Sequence, residues 1–243
     1  MNFSKGVLKN KLFNGDTCYG HWVFMPYPEV INIIGKSGFD FIVIDMEHSY
    51  TSINQLPSLI DAAVINNMTP LVRIPTSNTT DILRSLDTGA YGIVVPHCDT
   101  KEQLTQIIID SKYFPDGMRG MAKSTKSGEY TNKKFKEYME FENKNLLNIV
   151  CLESKKSIDN LDQLTMFPGV GDKVANCVML FSLDNLNAFP VDVWINRVLR
   201  EIYLNDNVNK IPDSKLRRHF QEYFGGYSGY INHYLFHTRR NDD

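Results

Sequence analysis

Residues 39–74 read FDFIVIDMEHSYTSINQLPSLIDAAVINNMTPLVRI. FDFIVID and TPLVRI are short runs, rich in β-branched and aromatic residues and apolar at successive positions. A strand that is apolar on both faces is buried on both faces, which is the mark of a parallel sheet covered by helices. The stretch between the two runs, 53–67, has the apolar spacing of an amphipathic helix. The segment therefore predicts a strand–helix–strand crossover unit.

The same alternation extends outward in both directions. Strands are predicted at 18–25, 39–45, 69–74, 91–95 and 147–152, and helices at 27–37, 53–67, 79–88 and 100–113. Residues 115–145 break the rhythm. Their PDGMRGMAKSTKSGEY segment is rich in Gly, Ser and Lys, which predicts a mobile loop and a flap over an active site, and a charged helix follows at about 131–144. After residue 154 the strand signal stops, and helices are predicted at 157–167, 172–183, 192–204, 213–224 and 228–240. The fold class expected is α/β followed by all-α, with domains at 1–163 and 164–243.

Bulk composition narrows the function classes. The chain has 243 residues, 42% of them hydrophobic, and a formal net charge of -2. Basic and acidic side chains balance in both pieces, so charge alone does not predict strong nonspecific nucleic-acid binding. The four cysteines, Cys18, Cys98, Cys151 and Cys177, have neither zinc-site nor disulfide-framework spacing. They fit a reducing compartment, and a cytoplasmic location is expected. No export leader and no membrane span are read in the sequence.

The densest chemical signal is Asp45-Met46-Glu47-His48 at the end of the second strand. Arg73 ends the third strand and Glu153 follows the fifth. Taken singly, each is an ordinary polar residue capping a strand. In an α/β barrel, however, the carboxyl ends of the strands converge on the face where chemistry is done. There Glu153 suits Mg²⁺ or Mn²⁺, which would polarise a 2-oxo acid. Arg73 suits the substrate oxygens and a developing enolate charge, and His48 suits proton transfer.

Several segments, in order, carry a family resemblance: GFDFIVIDMEHSYTSINQLPSLIDAAVINNMTPLVRIP, LDTGAYGIVVPHCDTKEQ, PDGMRG and VCLESKKSIDNLDQL. Over roughly 5–165 the chain resembles the HpcH/HpaI, or 4-hydroxy-2-oxo-acid, aldolases. The resemblance implies a partial, five-stranded TIM-barrel-like sheet and a Mg- or Mn-dependent lyase acting on a small 2-oxo acid of pyruvate type. It makes His48 the base, Asp45 its support, Arg73 the enolate-stabilising residue and Glu153 a metal ligand. The family pattern has Gln where this chain has Cys151, and its second metal carboxylate lies in a GP-x-D-L segment with no counterpart here. About three of the eight barrel strands have no counterpart either, so exposed sheet edges predict self-association.

The second piece carries Leu164-Thr165-Met166-Phe167-Pro168-Gly169-Val170-Gly171-Asp172-Lys173, which reads as helix, tight glycine turn, helix. Backbone N–H groups at Gly169, Val170 and Gly171 suit a DNA phosphate. Lys173, in the first helical turn, sits where the positive helix end favours a neutral amine nucleophile. Asp192 in FPVDVW suits an N-cap. The runs PGVGDKVANCVMLFSLDNLNAFPVDVW and EYFGGYSGYINHYLFH, over about 164–240, resemble 8-oxoguanine DNA glycosylase of the helix–hairpin–helix family. This second resemblance implies base-excision repair of damaged double-stranded DNA with no cofactor. It makes Lys173 the Schiff-base nucleophile and Asp192 its assistant. Cys177 and Phe236 would sandwich the flipped base, and Asn232 stands where the family has Gln. The two patterns overlap at Phe167-Pro168-Gly169-Val170 with no linker between them. Three readings follow: an aldolase-like lyase, a DNA glycosylase/lyase, and a non-enzymatic chimeric fusion of two incomplete parents.

Overall fold

The structure, a computed structural model, describes residues 5–128, 130, 134–160, 189–191, 193–204 and 213–240. The chain divides into two compact units, Met1–Asn160 and Leu161–Asp243.

Helix α1 (Val7–Phe13) opens the first unit. Five strands follow, β1 (Gly20–Val23), β2 (Phe41–Asp45), β3 (Thr69–Arg73), β4 (Gly92–Val95) and β5 (Leu147–Val150). They form one sheet in the order β1-β2-β3-β4-β5, every neighbouring pair parallel. The crossovers are α2 (Pro28–Gly35), α3 (Leu56–Ile65), α4 (Thr79–Asp87) and, before β5, α5 (Lys101–Ser111) and α6 (Phe135–Asn145); α7 (Lys155–Asp159) comes after β5. This is a parallel α/β sheet of the kind expected for part of a TIM-barrel-like aldolase.

Local chemistry explains where the helices start. Pro28 and Pro57 occupy first-turn positions, where a missing N–H costs nothing. Asn78 caps α4 by accepting from Asp81 N at 2.8 Å. Thr100 and Gln103 form a reciprocal capping box on α5, with Gln103 Oε1 accepting from Thr100 N at 3.0 Å. Gly89, at φ 95°, turns the chain after α4 in a conformation that favours glycine.

Alternation along the strands separates two faces. Ile42, Ile44, Val72, Ile93 and Val95 are buried on one parity, the face toward the helices. Val43, Leu71 and Val94 are buried on the other parity, and Leu8 of α1 packs among them with Phe41, Leu147, Ile149 and Cys151 partly buried alongside. Helix α1 thus covers part of the inner face. It is fastened by the buried pair of Lys5 with Glu142 of α6, 2.5 Å apart, and by Lys9 Nζ donating to Lys144 O at 2.7 Å.

The 115–130 segment departs from expectation. Each crossover helix runs from the carboxyl end of the sheet back to the amino end, so the chain leaving α5 emerges at the amino end. There Met118 N donates to Ile109 O at 2.7 Å, Arg119 N to Lys112 O at 2.8 Å and Ser127 N to Asp87 O at 3.2 Å. Arg119, itself buried, pairs with Asp87 at 2.8 Å and stacks over Tyr113 at 4.6 Å. The described part of the loop is a fastened plug on the face opposite the strand carboxyl ends, not a flap over them.

The described elements of the second unit are α8 (Val193–Tyr203), α9 (Asp213–Phe224), a single 3₁₀ turn (Gly225–Tyr227) and α10 (Ser228–Arg240). Phe189, Val191, Ile195, Leu199, Leu216 and Phe220 form their apolar core. No helix among the described residues is long and apolar enough to cross a membrane.

Candidate active site

Asp45 ends β2, and register places it directly beside Arg73 at the end of β3. Asp45 is fully buried. Its Oδ1 accepts from the backbone N–H of Glu47 at 2.7 Å and of His48 at 2.9 Å, and its Oδ2 accepts from Arg73 Nη2. One carboxylate therefore folds the turn that carries Glu47 and His48 and also holds the guanidinium. Burial pushes the Asp45 carboxyl up, but Arg73 and the two backbone donors outweigh it, and the net shift is below the ordinary carboxylate value. Burial likewise lowers Arg73, and the Asp45 and Glu47 carboxylates more than restore it.

Arg73 is held on three sides. Asp45 takes Nη2, Glu47 Oε2 lies 3.1 Å from Nη1, and the Trp22 ring of β1 stacks on the guanidinium at 4.5 Å. Arg73 Nε nevertheless remains buried without a hydrogen-bond partner, and Glu47 Oε2, though ion-paired with Arg73 Nη1, makes no aligned hydrogen bond. An unpaired buried donor costs stability unless something else fills the need.

His48 and His97 stand at the rim, 68% and 69% exposed. His48 Nε2 is 3.9 Å from Glu47 Oε2. His97, two residues past β4, has φ 52°. Its backbone N–H donates to Glu153 Oε1 at 2.8 Å, its Nδ1 lies 3.2 Å from the same oxygen, and its Nε2 lies 3.5 Å from Glu47 Oε1. Beneath them Cys151 N donates to Val95 O at 2.8 Å and Cys98 N to Cys151 O at 3.2 Å, which extends the β4–β5 pairing toward the site. Burial, and then Glu153, raise the Cys151 thiol. Burial, and then Asp99, push the Cys98 thiol up to about 11, so both are inert as nucleophiles near neutrality.

Among the described residues no group of three or more His, Cys, Asp and Glu side chains gathers around one metal position. Two carboxylates, Glu47 and Glu153, flank the His97 ring. Mg²⁺ commonly binds through one or two carboxylates, with water and substrate completing the shell. The Glu47 carboxylate and the partly exposed Glu153 carboxylate fit that hard-oxygen demand.

A model of known aldolases matches residues 19–175, the HpcH/HpaI aldolase/citrate lyase family. The chain belongs to that family. It is 31% identical over 151 residues to the 5-keto-4-deoxy-D-glucarate aldolase of Escherichia coli O139:H28 (strain E24377A / ETEC). That alignment spans 62% of this chain and 58% of the relative, so the chain covers less than two thirds of the aldolase it matches. A crystal structure of an HpcH/HpaI aldolase/citrate lyase family protein from Burkholderia cenocepacia J2315 superposes with TM-score 0.63 and 24% identity, over 68% of this chain and 66% of that one. A crystal structure of the citrate synthase SbnG aligns with TM-score 0.60 and 25% identity, over 97% of this chain and 96% of that one.

Of the residues expected from sequence, Asp45, His48, Arg73 and Glu153 lie at or just past the carboxyl ends of β2, β3 and β5; Asp45, Arg73 and Glu153 are joined through Glu47 and His97. Trp22, Glu47 and His97 are the site members that sequence reasoning did not assign. Lys173, Asp192, Cys177, Gly169, Val170 and Gly171 lie outside the described residues. Phe236 belongs to α10. Asn232 is buried, and its Nδ2 donates to Pro190 O at 2.8 Å, tying α10 to the segment before α8.

Proposed function

We propose that the first unit is the site of a divalent-metal-dependent aldolase reaction, cleaving or forming a C–C bond in a small 2-oxo acid. The observation that carries this reading is the arrangement at the strand ends: Arg73 Nε is buried without a hydrogen-bond partner, and the Glu47 and Glu153 carboxylates flank the His97 ring. A 2-oxo acid brings oxygens for the Arg73 donor, and a hydrated Mg²⁺ or Mn²⁺ brings positive charge for the two carboxylates. Glu153 and Glu47 would hold the ion, which supplies polarisation of the 2-oxo group.

The chain's own residues supply the remaining parts. Arg73, fixed by Asp45 and Trp22, is preorganised to stabilise negative charge growing on the enolate oxygen, without reorganising during the reaction. His48 takes the proton from the 4-hydroxyl as the C3–C4 bond breaks, and its exposure lets it exchange that proton with solvent. Asp45 acts through others: it sets the turn that presents His48 and keeps Arg73 in place.

The test is pyruvate release from a 4-hydroxy-2-oxo acid with Mn²⁺ or Mg²⁺ added to chelator-treated protein. Metal-dependent release that disappears in His48→Ala supports the reading. Release equal with and without metal, or unchanged in His48→Ala, rejects it.

A second reading rests on the PGVGDKVANCVMLFSLDNLNAFPVDVW run in the helical unit. Lys173 would attack the sugar C1′ of an 8-oxoguanine nucleotide, assisted by Asp192, with Cys177, Phe236 and Asn232 around the base and the 169–171 turn on a phosphate. Borohydride should then trap a covalent adduct on an 8-oxoguanine duplex, absent in Lys173→Ala. If neither activity is found, the chain is a non-enzymatic fusion of the two patterns.

A further inference from the structure

We propose that His97 is the positioning residue that aims the Glu153 carboxylate for metal binding. The inference rests on the aldolase reading in taking Glu153 as a metal ligand, and it adds a residue that neither the strand-end pattern nor the family resemblance singled out.

Glu153 follows β5 and its side chain is 37% exposed. A glutamate so exposed has several rotamers open to it, and fixing one costs side-chain entropy. His97 makes two contacts with it, the backbone N–H at 2.8 Å and Nδ1 at 3.2 Å, and both fall on the same oxygen, Oε1. Oε2 is therefore the oxygen left for another partner. On the far side of the ring, Nε2 is 3.5 Å from Glu47 Oε1, long for a hydrogen bond. Nδ1 stands at ion-pair distance from Glu153 Oε1 without an aligned hydrogen bond, so the ring lies between the two carboxylates, nearer to Glu153.

The backbone supports the same conclusion. His97 has φ 52°, a left-handed conformation uncommon outside glycine, though histidine adopts it more readily than most side chains. Strained residues persist where the surroundings over-determine them, and they cluster at functional sites. Here that conformation accompanies a backbone N–H delivered to Glu153 and an imidazole laid along the same carboxylate. Hydrogen bonds to a metal-binding carboxylate from outside the coordination shell typically change metal affinity by about 10–100-fold when removed.

Two substitutions separate positioning from folding. His97→Gly keeps the backbone N–H and suits the left-handed φ, but it removes the ring. His97→Asn tolerates the same φ and keeps a short side-chain donor. Mn²⁺ binding to the full-length, chelator-treated protein is followed by electron paramagnetic resonance, with a thermal melt of each variant as the measure of folding. His97→Gly should weaken Mn²⁺ binding about tenfold or more with no loss in melting temperature, and His97→Asn should recover part of the affinity. Binding within twofold of the parent in His97→Gly overturns the proposal. Glu153→Gln serves as the separate check on the aldolase reading. If it binds Mn²⁺ as the parent does, Glu153 is not a ligand and both ideas fall. If it loses binding while His97→Gly does not, only the role of His97 falls.

Discussion

The sheet carries a similar trio at each end: an arginine paired with an aspartate and stacked on an aromatic ring. At the carboxyl end Arg73 pairs with Asp45 and lies 4.5 Å from the Trp22 ring centre. At the amino end Arg119 pairs with Asp87 at 2.8 Å and lies 4.6 Å from the Tyr113 ring centre. Both leave Nε buried without a hydrogen-bond partner. The surroundings set them apart. Arg119 also reaches Ser127, whose hydroxyl is 2.8 Å from Tyr138 OH, and its side chain is only 1% exposed. Arg73 has a second carboxylate, Glu47, beside it and two exposed histidines at the rim. An Arg–Asp–aromatic trio is therefore not a site by itself. It becomes one where further titratable groups stand beside it and open to solvent, as Glu47, His48, His97 and Glu153 do at the carboxyl end.

The same substitution made at both ends tests this distinction. Lysine keeps the charge but loses the planar fork that pairs and stacks. Arg73→Lys should lower kcat by about 10²–10³-fold, the size of effect seen when one preorganised donor to a developing oxyanion is lost. Its urea midpoint should fall as well, because Asp45 is fully buried, so kcat is read per folded molecule. Arg119→Lys should leave kcat per folded molecule within about twofold and lower the midpoint. Steady-state assays and urea titrations of both variants decide the matter, and equal activity losses would erase the contrast.

Truncation at the amino end should give the next largest effect. Arg119→Ala strands Asp87, removes the stacking on Tyr113 and unties the 112–128 loop from α4. A loss of about 2–3 kcal/mol in unfolding free energy is expected, somewhat below that for a fully buried pair because Asp87 is partly exposed. A loss under about 0.5 kcal/mol, the scale of a neutral surface change, would mean that the plug contributes little to the unit.

Much of this was legible in the sequence, for identifiable reasons. Strands β2, β3 and β4 could be read because they are buried on both faces, the pattern of a helix-covered parallel sheet, and β1 and β5, with His21 and Asn148, by their place in the strand–helix alternation. Asp45, His48, Arg73 and Glu153 could be read because polar residues that end such strands have one face on which to gather. His97 could not, since a histidine two residues past β4 looks like any loop residue until its left-handed φ and its contacts with Glu153 are known. Trp22 reads as strand core, and only the tertiary fold puts Arg73 beneath it. The 115–130 segment was misread for a different reason: its composition suggested mobility, but its place in the chain, after a crossover helix, already put it at the amino end.

Acid should unsettle the carboxyl end through Asp45. Its pKa in the folded protein lies below the unfolded value of about 3.9. The folded state therefore gains from the ionised carboxylate at every pH above that value, and this gain is lost as pH falls through the depressed folded value. Asp45→Asn should flatten the acid limb of stability against pH, as followed by circular dichroism. An unchanged acid limb would show that Asp45 does not report on the core of the site.

The smallest effect belongs to Trp22. Its ring covers one face of the Arg73 guanidinium but is itself 39% exposed, so the stacking is only partly desolvated. Cation–π contacts of that kind contribute about 0.5–1 kcal/mol. Trp22→Leu keeps apolar bulk at the end of β1 and removes the ring quadrupole. Because Asp45 and Glu47 still hold Arg73 from the other sides, the guanidinium should loosen without leaving its place. The expected result is a drop in kcat/KM of about two- to fivefold, the kinetic equivalent of that energy, with KM rising more than kcat falls. A hundredfold loss would put Trp22 in contact with the substrate itself, and no change would mean that the two carboxylates alone fix Arg73.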